Sequence, residues 1–241
     1  MKTFHQRLLQ GAVWSLCLVA GAQAAGQAPA RSDTTSSAMR QEATASRHVN
    51  DAIAVVRKLE GAQALHGVLG TAKGVFIVPS YGRAAVGIGA AGGTGILLAR
   101  RAGGGWSDPV FYNTGGLSVG LQAGAEGGAM VLVLNNEKAL NEFLKKNNFS
   151  LNAKAGLTLV NWNKLVQGSA GAGDVVVWSD TKGLFGDLVT LEVNDIRYNQ
   201  KMNNAYYRRS LAASDVIDGK TTNPQSAPLV QALVAVAEPS R

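Results

Sequence analysis

Two apolar segments studded with glycine constrain the fold of this chain more than any other feature. Residues 84–101 and 117–134 combine branched and aliphatic side chains with many glycines, and residues 86–93 and 119–128 are imperfect copies of each other. Glycine disfavours helices, and its missing side chain lets neighbouring strands twist and approach closely. We therefore predict two β-hairpins in a strongly twisted sheet, separated by a turn at 102–109.

Helical and extended segments surround these hairpins. Gly74–Pro79 is a compact apolar run, which we expect to be a buried strand ended by its proline. Further strands are predicted at 151–160, 174–178 and 184–193, with a turn at 180–183. Helices are predicted at 39–60, 62–69, 136–148, 205–217 and 228–237, with Asn136 capping the third. The fold class that follows is α+β: a glycine-rich, twisted antiparallel sheet or partial barrel flanked by helices.

The first 24 residues have the three parts of a cleavable secretory signal peptide. Lys2 and Arg7 supply positive charge, and residues 8–20 form an apolar segment shorter than the ~20 residues that span a bilayer. The small residues of Ala22-Gln23-Ala24 match the pattern that a signal peptidase accepts. We expect cleavage after Ala24 and an exported protein that is periplasmic or associated with the outer membrane.

The single cysteine offers a second interpretation, that the protein is a lipoprotein acylated on Cys17. Lipoprotein processing requires a small residue directly before the cysteine, and Leu16 occupies that place. The lipoprotein interpretation is therefore disfavoured. After cleavage at Ala24 the chain has no cysteine, which excludes a disulfide framework, a thiolate nucleophile and a cysteine-based metal site.

The processed chain divides into segments by composition. Residues 25–37 have hardly any large apolar side chain and are predicted to be a flexible tether. Residues 38–220 carry the periodic patterns and form one predicted domain, and residues 221–241 form a C-terminal linker with a short helix. The processed chain has 21 basic and 16 acidic side chains, a net charge of +5. This charge suits an anionic partner such as a lipid surface, although many soluble proteins are as basic without one.

The first predicted helix is amphipathic. Its apolar positions recur at helical spacing: Val49, Ala52, Ile53, Val56 and Leu59. Arg40, Arg47 and Lys58 lie close together on the opposite face, because seven and eleven residues are nearly whole numbers of turns. The helix either rests on an anionic membrane or packs its stripe on the core, and Asp51 on the basic face favours core packing.

Catalytic and cofactor signals are weak. Gly87, Gly89 and Gly92 match the dinucleotide fingerprint, which needs a helix directly after a strand, but the following residues lead to another glycine run instead. His48 and His66 have no serine or carboxylate in a nucleophile-elbow setting. We expect no enzyme activity, cofactor, metal or nucleic-acid partner.

Several short motifs resemble, in order and spacing, those of the SYLF domain family over about residues 50–220. The motifs are 72–79 (AKGVFIVP), 104–112 (GGWSDPVFY), 120–125 (GLQAGA), 136–140 (NEKAL), 182–185 (KGLF) and 203–207 (NNAYY). The family includes eukaryotic proteins that bind phosphoinositide membranes and, in a fungal branch, actin; its bacterial members are secreted or periplasmic.

The resemblance implies a non-catalytic, peripheral lipid-binding protein of the cell envelope. Because an exported chain would not meet phosphoinositides or actin, the expected ligand is an anionic phospholipid or an outer-membrane lipid. Carried over by position, the lipid-binding residues are Arg40, Arg47, Arg57, Lys58 and Lys73. The alternative function is a structural or interaction protein that binds another envelope protein or a host protein.

We predict that protein recovered from outside the cytoplasm begins at Ala25, which intact-mass measurement and N-terminal sequencing will check. Ala24→Leu should leave the precursor uncut, because the peptidase pocket accepts only small residues there. Cys17→Ser should not change the mass of the exported protein. An exported protein that begins at an acylated Cys17 would contradict this prediction.

Overall fold

A computed structural model of the chain describes residues 31–84, 90–115, 117–119, 128–145, 147–168, 171, 173–180 and 191–238. Its helices are α1 (Arg31–Leu59), α2 (Gln63–Thr71), α3 (Glu137–Lys145), α4 (Trp162–Val166), α5 (Gln200–Tyr207), α6 (Ala213–Ile217) and α7 (Ala227–Ala237). Its strands are β1 (Gly74–Ala84), β2 (Ala90–Ala99), β3 (Val110–Thr114), β4 (Leu117–Val119), β5 (Gly128–Leu134), β6 (Asn148–Leu151), β7 (Leu159–Asn161), β8 (Val175–Ser179) and β9 (Leu191–Tyr198). The predicted signal peptide lies outside the described residues.

The described strands form one sheet in the order β4-β9-β3-β2-β1-β5-β8-β7, and β6 also pairs with β9. All pairings are antiparallel except that of β7 with β8. Strand β6 lies on β9, near one end of this order, and β7 is at the other end. Only residues 152–158 join β6 to β7, so the sheet curls and brings its two edges together. The α+β class with a partial barrel and flanking helices is confirmed.

Asp174, directly before β8, links the start of β7 to the start of α3. Its carboxylate accepts hydrogen bonds from the Thr158 N–H and from the Asn136 side chain, both at 2.6 Å. These two donors, the Thr158 amide first, hold the pKa of Asp174 below its usual value. Asn136 in turn accepts from the Ala139 N–H at 3.0 Å, which confirms it as the cap of α3.

Both faces of the sheet are covered. Successive side chains of a strand point to opposite faces, so Phe111 and Tyr112 of β3 show what lies on each side. The ring of Phe111 packs 5.1 Å from Tyr206 of α5, and that of Tyr112 packs 5.2 Å from Phe143 of α3. Helices α1 and α7 lie on the same face of the sheet as α5, because α1 contacts α5, α7 and β1.

Pro79 does not end the first strand, contrary to the prediction. Strand β1 continues to Ala84, and its register with both neighbours shifts in the interval that contains Pro79, between Ile77 and Gly82 on one side and between Val78 and Tyr81 on the other. Proline has no backbone N–H to donate to a neighbouring strand, but at a register shift one residue can remain outside the hydrogen-bond ladder.

The predicted hairpins within 84–101 and 117–134 are wrong. The first segment contributes one described strand, β2, which pairs instead with β1 over residues 74–84, and Ala84 faces Ala90. The segment 117–134 instead divides into β4, which pairs with β9, and β5, which pairs with β1 and β8. Local pattern predicts an extended strand but does not choose its partner, and here the partners are distant in sequence.

Three other boundaries differ from the predictions. The expected strand 151–160 is interrupted by a 3₁₀ turn, Ala153–Ala155, because Asn152 caps that turn and Gly156 ends it at a φ of 72°. The expected helix 205–217 is the separate helices α5 and α6. Helix α1 begins at Arg31, within the predicted tether, because extending an existing helix costs little. Strand β3 was not predicted, although its Val-Phe-Tyr run is typical of strands.

We predict that Gly95→Ala destabilises the protein by about 2 kcal/mol, the usual cost of overpacking a core. A Cβ at Gly95 would lie 2.0 Å from the Phe76 ring, inside the core. Gly103→Ala is the matched control, since a Cβ there meets nothing within 4 Å. Denaturant unfolding measures both, and equal stabilities of the two variants would contradict the packing described here.

Candidate interaction surface

The outer side of α1 carries the cations that the sequence singled out. Arg40, Arg47, Arg57 and Lys58 are all exposed, and we name these four residues the basic ridge. The opposite side of the helix is buried at these positions: Ala45, Val49, Ala52, Val56 and Leu59. The apolar stripe is thus part of the core, which confirms the packing interpretation and leaves only the polar side of α1 to meet a partner.

Two cations of the basic ridge bond within their own helix. Arg40 Nε donates to the Ser36 carbonyl at 3.2 Å, and Arg47 Nη2 donates to Thr44 Oγ1 at 3.0 Å. Lys58 differs, because its Nζ lies 2.5 Å from an Asp180 carboxylate oxygen after β8. Lys58 therefore links the C-terminal end of the ridge to the sheet. No described carboxylate lies within 4.0 Å of the guanidinium group of Arg40 or of Arg47.

Lys73 does not belong to this surface. Its N–H donates to the Leu134 carbonyl at one end of β5, whereas Asp180, the partner of Lys58, accepts from the Ala129 N–H near the other end. The five residue steps along β5 from Ala129 to Leu134 span about 17 Å. Lys73 also pairs with Glu137, at 3.5 Å. The structure brings four of the five predicted lipid-binding residues onto one helix and separates the fifth.

Other charged groups modify the basic ridge. Asp51 is exposed on α1 between Arg47 and Lys58. Glu42 is neutralised by Arg208 at 2.8 Å, a residue that the sequence analysis missed and that ends α5 in the left-handed conformation. Partial burial, opposed by the attraction of Asp51, lowers the pKa of His48, so His48 adds no charge to the ridge at neutral pH.

Comparison with known proteins decides the family. The family model Ysc84, described as "Las17-binding protein actin regulator", matches residues 115–236, just over half of the chain. The chain belongs to the Ysc84 family. This match confirms the family resemblance that the short motifs indicated.

Curated relatives align with this chain over longer stretches than the family model does. The chain is 29% identical over 163 residues to human SH3 domain-containing YSC84-like protein 1, covering 66% of this chain and 47% of that protein. It is 31% identical over 147 residues to an SH3 domain-containing protein of Schizosaccharomyces pombe, covering 58% and 34%. It is 27% identical over 147 residues to Protein YSC84 of Saccharomyces cerevisiae, covering 58% and 31%. The chain spans about half the length, or less, of the curated relatives it matches.

The motif that contains Trp106, Ser107 and Asp108 is a buried structural junction. Ser107 Oγ accepts from the Ala99 N–H at 3.0 Å and donates to the Asp108 carbonyl at 2.9 Å. The Asp108 carboxylate accepts from Arg101 at 3.2 Å and from the Ser226 hydroxyl before α7. These bonds tie the turn between β2 and β3 to the C-terminal helix.

The motif at 203–207 is equally buried. The Asn203 side chain accepts a hydrogen bond from the Phe111 N–H at 3.0 Å and donates one to the Phe111 carbonyl at 2.8 Å. These two bonds take the place of a neighbouring strand beyond the end of β9. The Tyr207 hydroxyl donates to the Pro109 carbonyl at 2.6 Å. Burial raises the pKa of Tyr206 and of Tyr207 above the usual value, so both phenols stay neutral. These buried side chains of the Ysc84 chain stabilise the fold.

A metal-binding cluster and a membrane-spanning helix are not found in the described part of the chain. No group of three or more His, Cys, Asp or Glu that could hold a metal is present among those residues. Gly92 of the dinucleotide-like pattern lies in β2 opposite Gly82, so a strand stands where a nucleotide site requires a helix; Gly87 and Gly89 lie outside the described residues. No described helix is long and apolar enough to cross a bilayer.

We predict that Val56→Ala lowers the free energy of unfolding by about 2 kcal/mol, because Val56 is fully buried and its loss leaves a cavity. Asn50→Ala, at an exposed position of the same helix, should change stability by less than about 0.5 kcal/mol. Denaturant unfolding compares the two. A neutral Val56→Ala would show that the stripe of α1 is not core.

Proposed function

We propose that this Ysc84-family protein is a non-catalytic binding module that docks an acidic protein surface on the basic ridge of α1. The observation that carries the proposal is the orientation of α1: its apolar stripe is buried while Arg40, Arg47 and Arg57 remain exposed. A helix held in this way presents its cations in fixed positions, which lowers the entropy cost of binding.

A protein partner is supported by the family. The matching model is described by a protein that it binds, Las17, and by a protein that it regulates, actin. The ridge also lacks an exposed apolar stripe, which an amphipathic helix needs to enter a membrane interface. If the chain is exported, its own partner is an envelope or host protein.

We predict that the immobilised protein captures an acidic partner from a cell-envelope extract and that R40Q/R47Q/R57Q captures at least tenfold less. The loss of three cations should also weaken the salt dependence of capture, because oppositely charged surfaces are screened by salt. K154Q/K201Q/R209Q is the matched control, since it removes three exposed cations outside α1 that likewise have no described carboxylate within 4.0 Å.

The outcome is read by quantitative mass spectrometry of the eluted proteins. A partner retained by the wild type and the control but lost by the ridge variant supports the proposal. Identical captures by all three proteins, or no partner at all, would contradict it.

A second candidate function is binding of anionic lipid headgroups in the cell envelope. It is supported by the net charge of +5 on residues 25–241 and by exposed cations on more than one side of the domain. Such binding would be electrostatic and therefore sensitive to salt. The periplasmic or outer-membrane location belongs to the same proposal and is supported by the signal-peptide pattern of residues 1–24.

A further inference from the structure

The outward side of α1 has a regular spacing in addition to its charge. Exposed residues recur at alternating intervals of three and four, and we name this set the outer seam: Arg40, Ala43, Arg47, Asn50, Ala54 and Arg57. Alternation of three and four is the spacing of the positions a and d, through which the helices of a coiled coil meet. The outer seam therefore has the geometry of a helix-binding surface about 26 Å long.

The outer seam is held in place by the opposite side of the same helix. Val49, Val56 and Leu59 are at most 1% exposed, so α1 cannot rotate without bringing core side chains into water. The seam is thus preformed, and a partner does not have to order the helix when it binds. This rigidity makes the spacing of the seam a property that a partner can match.

The outer seam combines cations with short side chains. Arg40 and Arg47 are seven residues apart, which places them about 10 Å apart along one side of the helix. Ala43 lies between them, and Ala54 lies before Arg57. The alanines leave room for larger side chains of a neighbouring helix. The seam itself contains no aspartate or glutamate.

The borders of the outer seam add two further requirements. Met39, next to the first arginine, is 64% exposed and offers an apolar contact at that end. Asp51 is exposed on the other border, so it favours a neutral or basic partner residue at that point. Glu42 lies off the seam and is paired with Arg208 at 2.8 Å. A partner therefore meets positive charge at both ends of the seam and one negative group on its border.

We propose that the partner of the basic ridge is an acidic α-helix that lies along the outer seam, with carboxylates seven residues apart opposite Arg40 and Arg47. This inference rests on the proposed function and specifies its partner. Two helices that cross at about 20° keep equal repeats opposite each other over several turns. In an extended chain, side chains on one face recur about every 7 Å, which does not match the 10 Å between the two arginines.

The test uses the chain from Ala25 to Arg241, which contains every described residue, and two synthetic peptides of identical composition. The first peptide has four heptads with Glu at position a, Leu at position d, and Ala, Gln and Lys elsewhere. The second exchanges its glutamates with glutamines of position f, which moves the negative charge to the other side of the peptide helix. Fluorescence anisotropy measures the affinity, and circular dichroism measures the helix gained on mixing.

Two matched variants locate the contact on the protein. Ala43→Glu places a carboxylate in the outer seam, and Ala38→Glu places the same charge on the same helix outside it. Both positions are exposed, so we expect both variants to fold, which thermal unfolding checks. R40Q/R47Q/R57Q removes the cations of the seam.

We expect the first peptide to bind the wild type at least about tenfold more tightly than the second, and to gain helix on binding. Ala43→Glu should weaken binding about tenfold, because its carboxylate repels the glutamates of the peptide. Ala38→Glu should change the affinity by less than about twofold. R40Q/R47Q/R57Q should bind neither peptide.

Other outcomes overturn the inference in distinguishable ways. Equal affinities of the two peptides, both lost in R40Q/R47Q/R57Q, show attraction of charge alone: the acidic partner stays on the ridge, but not as a helix in register. Equal losses in Ala43→Glu and Ala38→Glu refute the location. If neither peptide binds, the helical partner is refuted, and capture from the envelope extract decides separately whether the proposed function holds.

Discussion

Burial of the apolar stripe of α1 is the interaction on which the rest of this structure depends. Val49, Val56 and Leu59 are at most 1% exposed, and the helix that carries them contacts α5, α7 and β1. Burying three such side chains contributes several kcal/mol, a large part of the stability of a typical domain. The same packing fixes the orientation of the basic ridge, so stability and the available binding surface have one cause.

The sequence predicted local structure better than it predicted pairing. Periodicity located α1, and a cap identified the start of α3, because both signals lie within a few residues. The partner of β5 depends instead on contacts with β1 and β8, which no local pattern encodes. The short helix α4, Trp162–Val166, was missed for a related reason: five residues contain too little periodicity to separate a helix from a strand.

The candidate surface could be predicted only in part. Helical spacing placed Arg40, Arg47 and Lys58 on one side of α1, but Lys73 was grouped with them although it lies at the opposite end of β5. Family motifs such as Ser107-Asp108 and Asn203 are buried and bond to other groups of the same domain, so motif matching identified the fold and not the contact residues. A binding surface of this family is better sought among exposed, unpaired charges.

Native-state hydrogen exchange tests most directly whether α1 is a permanent part of the core. The account predicts that amides of α1 from Ala45 to Leu59 open with free energies within about 1 kcal/mol of those in β1 and β5, through global unfolding. Exchange of α1 at a free energy several kcal/mol lower, with β1 and β5 still protected, would show that the helix detaches. That result would contradict the fixed ridge and make its buried stripe available to a partner.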